Sequence, residues 1–364
     1  MRNIVFPNFV KVVLFSLMLI NLAGCDFGED VNINNYKINP YVYTETYNLI
    51  KVPVPSGGIV FPTGIHDDKT ASIEKAFYIG EIPITNALWD TVARWAVERE
   101  YGYYYGLYHK HHEAYFNNGF YSYDEKKYNY YEVFNPNAPI TQLFGYGYNA
   151  YSHKYIFITA FYVIPVWCNA FTEWYNEKYG TNLIPVYQDA YGNTIRFLNN
   201  SDIFVDTANP EATGFRLPSL EEWELAARWN DNSSTNYVTK TINGINFNEQ
   251  YIKFTKGDSA SGALFSGDYQ RVAVHGGKHP EIVKTKEPNV LGLYDMSGNI
   301  WERTSSWHTV RFNSYTYIPT SRLKGGDFVS NQNEFAVGYT RELYWMENES
   351  IHDYVGFRVV RNAE

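Results

Sequence analysis

The chemistry open to this chain is set first by its thiols, and there are only two, Cys25 and Cys168. Cysteines so far apart form no CxxC redox pair and cannot supply a multi-thiolate metal site. Cys168 stands between Trp167 and Asn169-Ala170, at the expected start of an amphipathic helix. That position suits a small buried apolar residue better than a nucleophile. His109, His111, His112 and Glu113 have the most metal-like spacing. Adjacent imidazoles on a loop do not converge on an ion without a scaffold, so they read as solvated side chains. Arg216, Arg228 and Arg358 accompany the acids Glu222, Glu224 and Glu302, a set that reads as structural ion pairs before it reads as acid–base catalysis. The run Tyr101-Gly102-Tyr103-Tyr104-Tyr105-Gly106-Leu107-Tyr108 and its continuation to Tyr131 offer rigid aromatic contact area that could also stack on sugar rings. The competing reading is a loop that lies over the domain and buries its rings.

These residues need a frame. Of 364 residues 45% are hydrophobic and 19% charged, enough apolar surface for a large core and too little charge for a disordered chain. The formal charge of −9 repels phosphate backbones and excludes nucleic acid as the expected partner. Apolar residues around Ile59 to Phe61 and Phe77 to Ile84 read as strands. Thr85-Asn86 sits where a helix N-cap belongs, and Leu88, Val92, Trp95 and Ala96 recur at helical spacing from Ala87 to Val97. A second helix is predicted from Cys168 to Lys178, with Phe171, Trp174 and Tyr175 facing in. A third follows Leu217-Pro218-Ser219, with Ser219 and Glu222 spaced as a capping box and Trp223, Ala226 and Ala227 facing in. The last hundred residues are rich in Gly, Asn and short aromatic strands without a solenoid or propeller repeat. The fold expected is α+β with much irregular structure.

The amino terminus carries Arg2 and Lys11, then the apolar run Val12 to Ile20, which has the length of a signal-peptide core. It ends in Leu22-Ala23-Gly24-Cys25, which resembles the bacterial lipobox. That resemblance implies a lipoprotein signal peptide over 1–24 and lipidation at Cys25 as the first mature residue. Each buried acyl methylene contributes roughly 0.8 kcal/mol, so several acyl chains hold a protein on a membrane without a transmembrane helix. The polar, Asn- and Tyr-rich residues 25–51 read as a tether, and 52–364 as the folded domain. The expected location is the exported side of a bacterial cell envelope.

Five segments in order then match one family. They are Glu81-Ile82-Pro83-Ile84-Thr85-Asn86 with Trp89, Pro165-Val166-Trp167-Cys168-Asn169-Ala170 running to Pro185-Val186-Tyr187, and Gly214-Phe215-Arg216-Leu217-Pro218-Ser219 with Glu222-Trp223-Glu224. Further on come Gly292-Leu293-Tyr294-Asp295-Met296-Ser297-Gly298-Asn299-Ile300-Trp301-Glu302 and Lys324-Gly325-Gly326-Asp327-Phe328 with Gly356-Phe357-Arg358. The chain resembles the formylglycine-generating enzyme, or sulfatase-modifying factor, domain from about residue 52 to 362, with a Tyr-rich insert at about 98–160. The resemblance implies a C-type-lectin-like fold. It also implies copper-dependent oxidation of a substrate cysteine by a cysteine pair placed shortly after Gly325-Gly326. Ser330 and Phe335 stand at those positions, and neither can hold a soft metal or exchange with a thiol, so no copper and no such catalysis are expected. Relatives commonly read Trp-Glu-Trp where this chain has Trp301-Glu302-Arg303. A ligand groove of Trp301, Arg303, Ser330 and Phe335 would therefore take a ligand different in kind. Asn299, Ile300 and Glu302 match a family calcium site, while the alternative that Glu302 only accepts backbone N–H bonds stays open.

The expectation is a membrane-anchored, catalytically inactive binding or scaffold module whose partner is an envelope protein or a glycan. A carbohydrate-binding surface protein and an enzyme of altered chemistry are the alternatives.

Overall fold

The computed structural model describes residues 46–99, 101, 135–141, 144–149, 154–189, 191–196, 209, 211–230, 241–242, 245–246, 253–263, 266–311, 317–344 and 354–363. In chain order these form β1 (Leu49–Val52), β2 (Ile59–Thr63), β3 (Lys69–Ile73), β4 (Phe77–Gly80), α1 (Asn86–Val97), β5 (Phe144–Asn149), β6 (Lys154–Thr159) and α2 (Ala160–Tyr179). The order continues with α3 (Leu220–Arg228), β7 (Trp229–Asn230), β8 (Thr241–Ile242), β9 (Ile245–Asn246), β10 (Lys253–Phe254) and α4 (Tyr269–Val272). It closes with β11 (Trp301–Arg311), β12 (Tyr317–Lys324), β13 (Arg341–Tyr344), β14 (Val355–Gly356) and β15 (Val360–Asn362). Helices and short strands with long irregular links are the α+β architecture expected from the sequence.

Among the described residues two sheets have more than two strands, and the remaining strands pair as two-stranded ribbons. The first is ordered β1-β4-β15 and the second β13-β12-β11-β14, in which β11 runs antiparallel to β12 and parallel to β14. In β4, Phe77 and Ile79 alternate inward and are buried, flanked by Val52 and Val360 from the neighbouring strands. Thr85 caps α1 by accepting the Leu88 N–H at 3.3 Å, and Leu88, Val92 and Ala96 then fall on one buried stripe. That stripe meets α2, where Trp89 stacks on Trp167 with ring centroids 5.1 Å apart and Phe357 packs edge-on against both. A second apolar cluster gathers Phe61, Phe77, Phe254 and Trp223 beneath α3. The capping box of α3 is present in full, Ser219 accepting from Glu222 N and Glu222 accepting from Ser219 N.

Two boundaries differ from expectation. The second helix starts at Ala160, and Cys168 sits within it; Pro165 lies inside the helix. A proline there forfeits one backbone bond and costs about 3 kcal/mol in an ordinary helix interior, but Ile164, Val166 and Trp167 around it are all buried, which offsets the loss. The folded part also begins before residue 52. Tyr47 is buried and donates its hydroxyl to Ile82 O at 2.8 Å, and β1 pairs with β4, so the end of the expected tether is sheet. Gly80 permits this contact, because a Cβ there would lie 1.9 Å from the Tyr47 hydroxyl.

Within the expected insert, β5 and β6 form an antiparallel hairpin. Tyr101 is buried, 6.3 Å from Trp95 and beneath the Arg196 guanidinium. Most of the tyrosine-rich run, with His109, His111, His112 and Glu113, lies outside the described residues, as does Cys25.

Candidate functional site

The sheet containing β11 has two chemically different faces, because successive side chains of a strand point to opposite sides. Glu302 and Lys324, partners across β11 and β12, are both fully buried on the side of α3. Glu302 accepts from Arg358 Nε and Nη2 at 2.6 Å each, and from Trp223 Nε1 at 2.7 Å. Arg358 uses its remaining donors on the carbonyls of Gly80 and Tyr294. Its donors are thus side-chain N–H groups, a fork that only an arginine can fill.

Lys324 reaches Glu224 at 3.0 Å, and the other oxygen of Glu224 takes Arg228 Nε at 2.7 Å and Gly64 N at 2.9 Å. Arg228 continues to Asp67 at 2.6 Å. Burial pushes the Glu224 carboxyl upward, but Lys324 and Arg228 together outweigh it and hold the group down at about 2. Arg216 pairs with Glu222 at 2.6 Å. All three sequence-inferred arginine–acid sets are therefore ion pairs.

The turn before β11 brings a carboxylate that sequence reading missed. Asp295 (φ 55°) and Asn299 (φ 65°) both adopt left-handed backbone conformations and both are buried. Burial pushes the Asp295 carboxyl up to about 6, and the charge of Glu302 adds to this against Arg358 and the Lys284 N–H. Two buried carboxylates thus lie within electrostatic reach of one guanidinium, Glu302 bonded to it and Asp295 farther off, and carboxylate oxygens are donors that fit a hard cation. The Asn299 side chain accepts from Glu281 N at 2.9 Å and donates to Glu281 O at 3.3 Å and to Asp295 Oδ1 at 3.4 Å. Among the described residues no three or more His, Cys, Asp or Glu side chains form a metal cluster.

On the opposite face of β11, Trp301 and Arg303 are buried, together with Leu323, Leu343 and Val355. Arg303 donates from Nη1 to Ser321 Oγ at 2.9 Å, while its Nε and the Trp301 Nε1 find no acceptor among the described residues. Burial pulls the Arg303 guanidinium down to about 10. Arg341 lies over the Trp301 ring at 5.6 Å.

Ser330 and Phe335 do not join this face. Ser330 is buried in a tight turn, donating to Asp327 Oδ1 at 2.8 Å and accepting from Asp327 N at 3.0 Å. Phe335 is 1% exposed in a separate cluster with Ala260, Ala263, Val272 and Ala273. Gly326 (φ 73°) passes directly beneath it, 2.9 Å separating a would-be Cβ from the Phe335 backbone. The four residues expected to share a groove thus fall in three places, Trp301 and Arg303 on one face of β11, Ser330 in the Asp327 turn and Phe335 in its own apolar cluster, because the Gly325-Gly326 reversal leads the later residues away from β11. Cys168 is fully buried, and burial pushes its thiol up, so it is no nucleophile.

Comparison with known proteins places this geometry. The model of the sulfatase-modifying factor enzyme 1-like domain matches residues 51–363. The chain is 31% identical over 158 residues to "Chaperone protein LppX" of Paenibacillus barcinonensis, covering 43% of this chain and 52% of that protein. It is 30% identical over 156 residues to "Inactive C-alpha-formylglycine-generating enzyme 2" of Mus musculus, covering 41% of this chain and 44% of that protein. The chain thus spans about half the length of the curated relatives it matches. Among solved structures, CarF superposes with a TM-score of 0.53 at 19% identity over 88% of this chain and 99% of its own. Treponema denticola variable protein 1 does so at 0.53 and 19% over 90% and 98%. These two share the fold. A family model that covers nearly all of the described structure decides the matter: this chain belongs to the sulfatase-modifying factor, or formylglycine-generating enzyme-like, domain family.

Proposed function

We propose that the chain is a non-catalytic member of its family, held by lipid at Cys25 on the exported side of a bacterial envelope, where it acts as a binding or scaffold module for an envelope protein or glycan. The observation that carries this reading is the late motif. Where the resemblance calls for two thiols there is a serine locked to Asp327 and a phenyl ring filling a core. Neither a hydroxyl of high pKa nor a phenyl ring serves as a soft-metal ligand or exchanges with a substrate thiol. One relative is named inactive and another a chaperone, and both names support a role without formylglycine chemistry. The lipobox-like Leu22-Ala23-Gly24-Cys25 supports the anchor.

The test is incubation of purified protein with a sulfatase-type cysteine peptide, with and without copper, followed by mass spectrometry for the aldehyde. No aldehyde is expected. Its appearance, after contaminating enzyme is excluded, overturns the non-catalytic reading in favour of altered chemistry. We also propose calcium at Asn299, Ile300 and Glu302 in the turn before β11, with the Asp295 carboxyl as a further oxygen donor nearby. Its role there is structural.

A further inference from the structure

The two faces of the β1-β4-β15 sheet are covered unequally. Phe77 and Ile79 of β4, with Val52 and Val360 beside them, point into the apolar cluster beneath α3. On the opposite face one cross-strand row, at Leu49, Gly80 and Val359, is closed by Tyr47 and by Phe171 of α2. The next row on that face is Lys51, Tyr78 and Arg361, partners across the three strands. Lys51 is exposed and Tyr78 and Arg361 are only half-buried, so this row is open to solvent. The Arg361 guanidinium lies over the Tyr78 ring, 4.5 Å from its centroid. The last turns of α2 border the row with the half-buried rings of Tyr175 and Tyr179, 4.4 Å apart, and Arg361 is within electrostatic reach of the Tyr175 hydroxyl. Arg361 gives Nη1 to the Asn362 carbonyl at 3.3 Å. Its Nη2, neither hydrogen-bonded nor buried among the described residues, faces solvent. The result is an open shelf with two cations, bordered by tyrosine rings, on a chain whose net charge is −9.

We infer that this shelf binds an acidic polysaccharide through its uronate units, with carboxylates on Arg361 and Lys51 and sugar rings against the tyrosines at the end of α2. This deepens the binding-module reading and rests on it. A carboxylate is planar and matches the outer edge of a guanidinium. Lys51 and Arg361 stand two strand spacings apart, about 10 Å at the backbone, so a chain with a carboxylate on every unit can meet both cations while a single sugar meets one. The C–H face of a pyranose packs on an open tyrosine ring, whose hydroxyl stays wet. An acidic peptide would meet the cations but bring no such face to the rings. The remaining surface, acidic overall, repels a polyanion and confines it to the shelf.

The test is calorimetric titration of the full chain with tetragalacturonate and with tetramannuronate, the fully methyl-esterified tetragalacturonate and hexaglutamate serving as the other arms. At least one uronate tetramer is expected to bind, more tightly than its monosaccharide and than hexaglutamate. Removing the charge by esterification, or replacing Arg361→Gln, should weaken tetramer binding by about tenfold or more. Lys51→Gln should weaken it by about threefold, and because Lys51 is exposed this variant reads the shelf without disturbing the fold. Lys69→Gln, an equally exposed cation on the β2–β3 hairpin, should leave binding unchanged. Failure of both tetramers to bind, binding of the ester as tight as that of the acid, wild-type affinity in Lys51→Gln, or hexaglutamate binding as tight as the tetramers each overturns the inference. The last of these outcomes would make the occupant an acidic protein segment. The aldehyde assay reads the non-catalytic proposal independently, so the two can fail separately.

Discussion

Glu302 shows how one residue can be decided by its donors. It is fully buried, and both of its oxygens are held by Arg358, so replacing it by Ala leaves a buried guanidinium without a partner. Breaking such a pair from one side costs about 3–5 kcal/mol, and Glu302→Ala should unfold at markedly lower denaturant than the wild type. The calcium proposal makes a separate demand at the same turn. An ion at a hundredfold excess over Kd stabilises by roughly 2.7 kcal/mol, so EDTA should lower the melting temperature by several degrees, and Asp295→Asn should abolish that shift. Identical melting curves with and without EDTA would count against the ion and leave the Arg358 pair as the whole account of Glu302. At the late motif, Ser330→Cys with Phe335→Cys should yield no aldehyde on the sulfatase-type peptide. The double variant should also be less stable, because Phe335 fills a core and truncating a buried aromatic costs about 3 kcal/mol or more. Aldehyde formation by this variant would mean that the site needs only its thiols.

At the scale of elements, α3 is the piece most fully written into the sequence. Ser219 and Glu222 at capping-box spacing, with inward Trp223, Ala226 and Ala227, need no distant information, and the helix follows as read. Ser219→Ala should cost about 1 kcal/mol by chemical denaturation. The partners of α3 were less legible, since Glu224 meets Lys324 and, through Arg228, Asp67 only after β11, β12 and the β2–β3 hairpin are placed. Sequence spacing could suggest that Arg228 and Glu224 pair as i, i+4 neighbours, but not that a lysine a hundred residues away completes the network. The start of α2 was misread for the opposite reason: Pro165 is a strong local stop signal overridden by tertiary burial. That Arg303 meets a serine and no carboxylate among the described residues was equally invisible, because it depends on which side chains the neighbouring strands present. The Glu224 network makes a pH prediction. Its carboxyl is held below its ordinary 4.5, at about 2, so the unfolded chain binds the extra proton between these values. The stabilisation is complete above about 4.5 and is lost as pH falls toward 2. Glu224→Gln should lower stability by about 3–5 kcal/mol at neutral pH and should flatten the acid limb of melting temperature against pH over that window. An unchanged acid limb would remove Glu224 from the account.

For the whole molecule, the question is how a folded domain of this family is kept where it works. Among the described residues no helix is long and apolar enough to cross a membrane. The apolar run Val12 to Ile20 is short for a span and ends at Gly24-Cys25. A free-standing signal peptide would release the domain, whereas acylation of Cys25 would retain it through chains whose buried methylenes each contribute roughly 0.8 kcal/mol. Among the described residues sheet begins at Leu49, and the sequence from Cys25 to Tyr47 is polar, so it would serve as the spacer that the proposed anchor needs. Protein expressed in a bacterial host should therefore partition into the detergent phase of a Triton X-114 separation, and its amino-terminal peptide should carry diacylglycerol on Cys25. Cys25→Ala should move the protein to the aqueous phase or leave it uncleaved, while its melting temperature stays that of the wild type, since among the described residues the buried contacts start at Tyr47. A free thiol at Cys25 in cleaved, membrane-derived protein would refute the anchor.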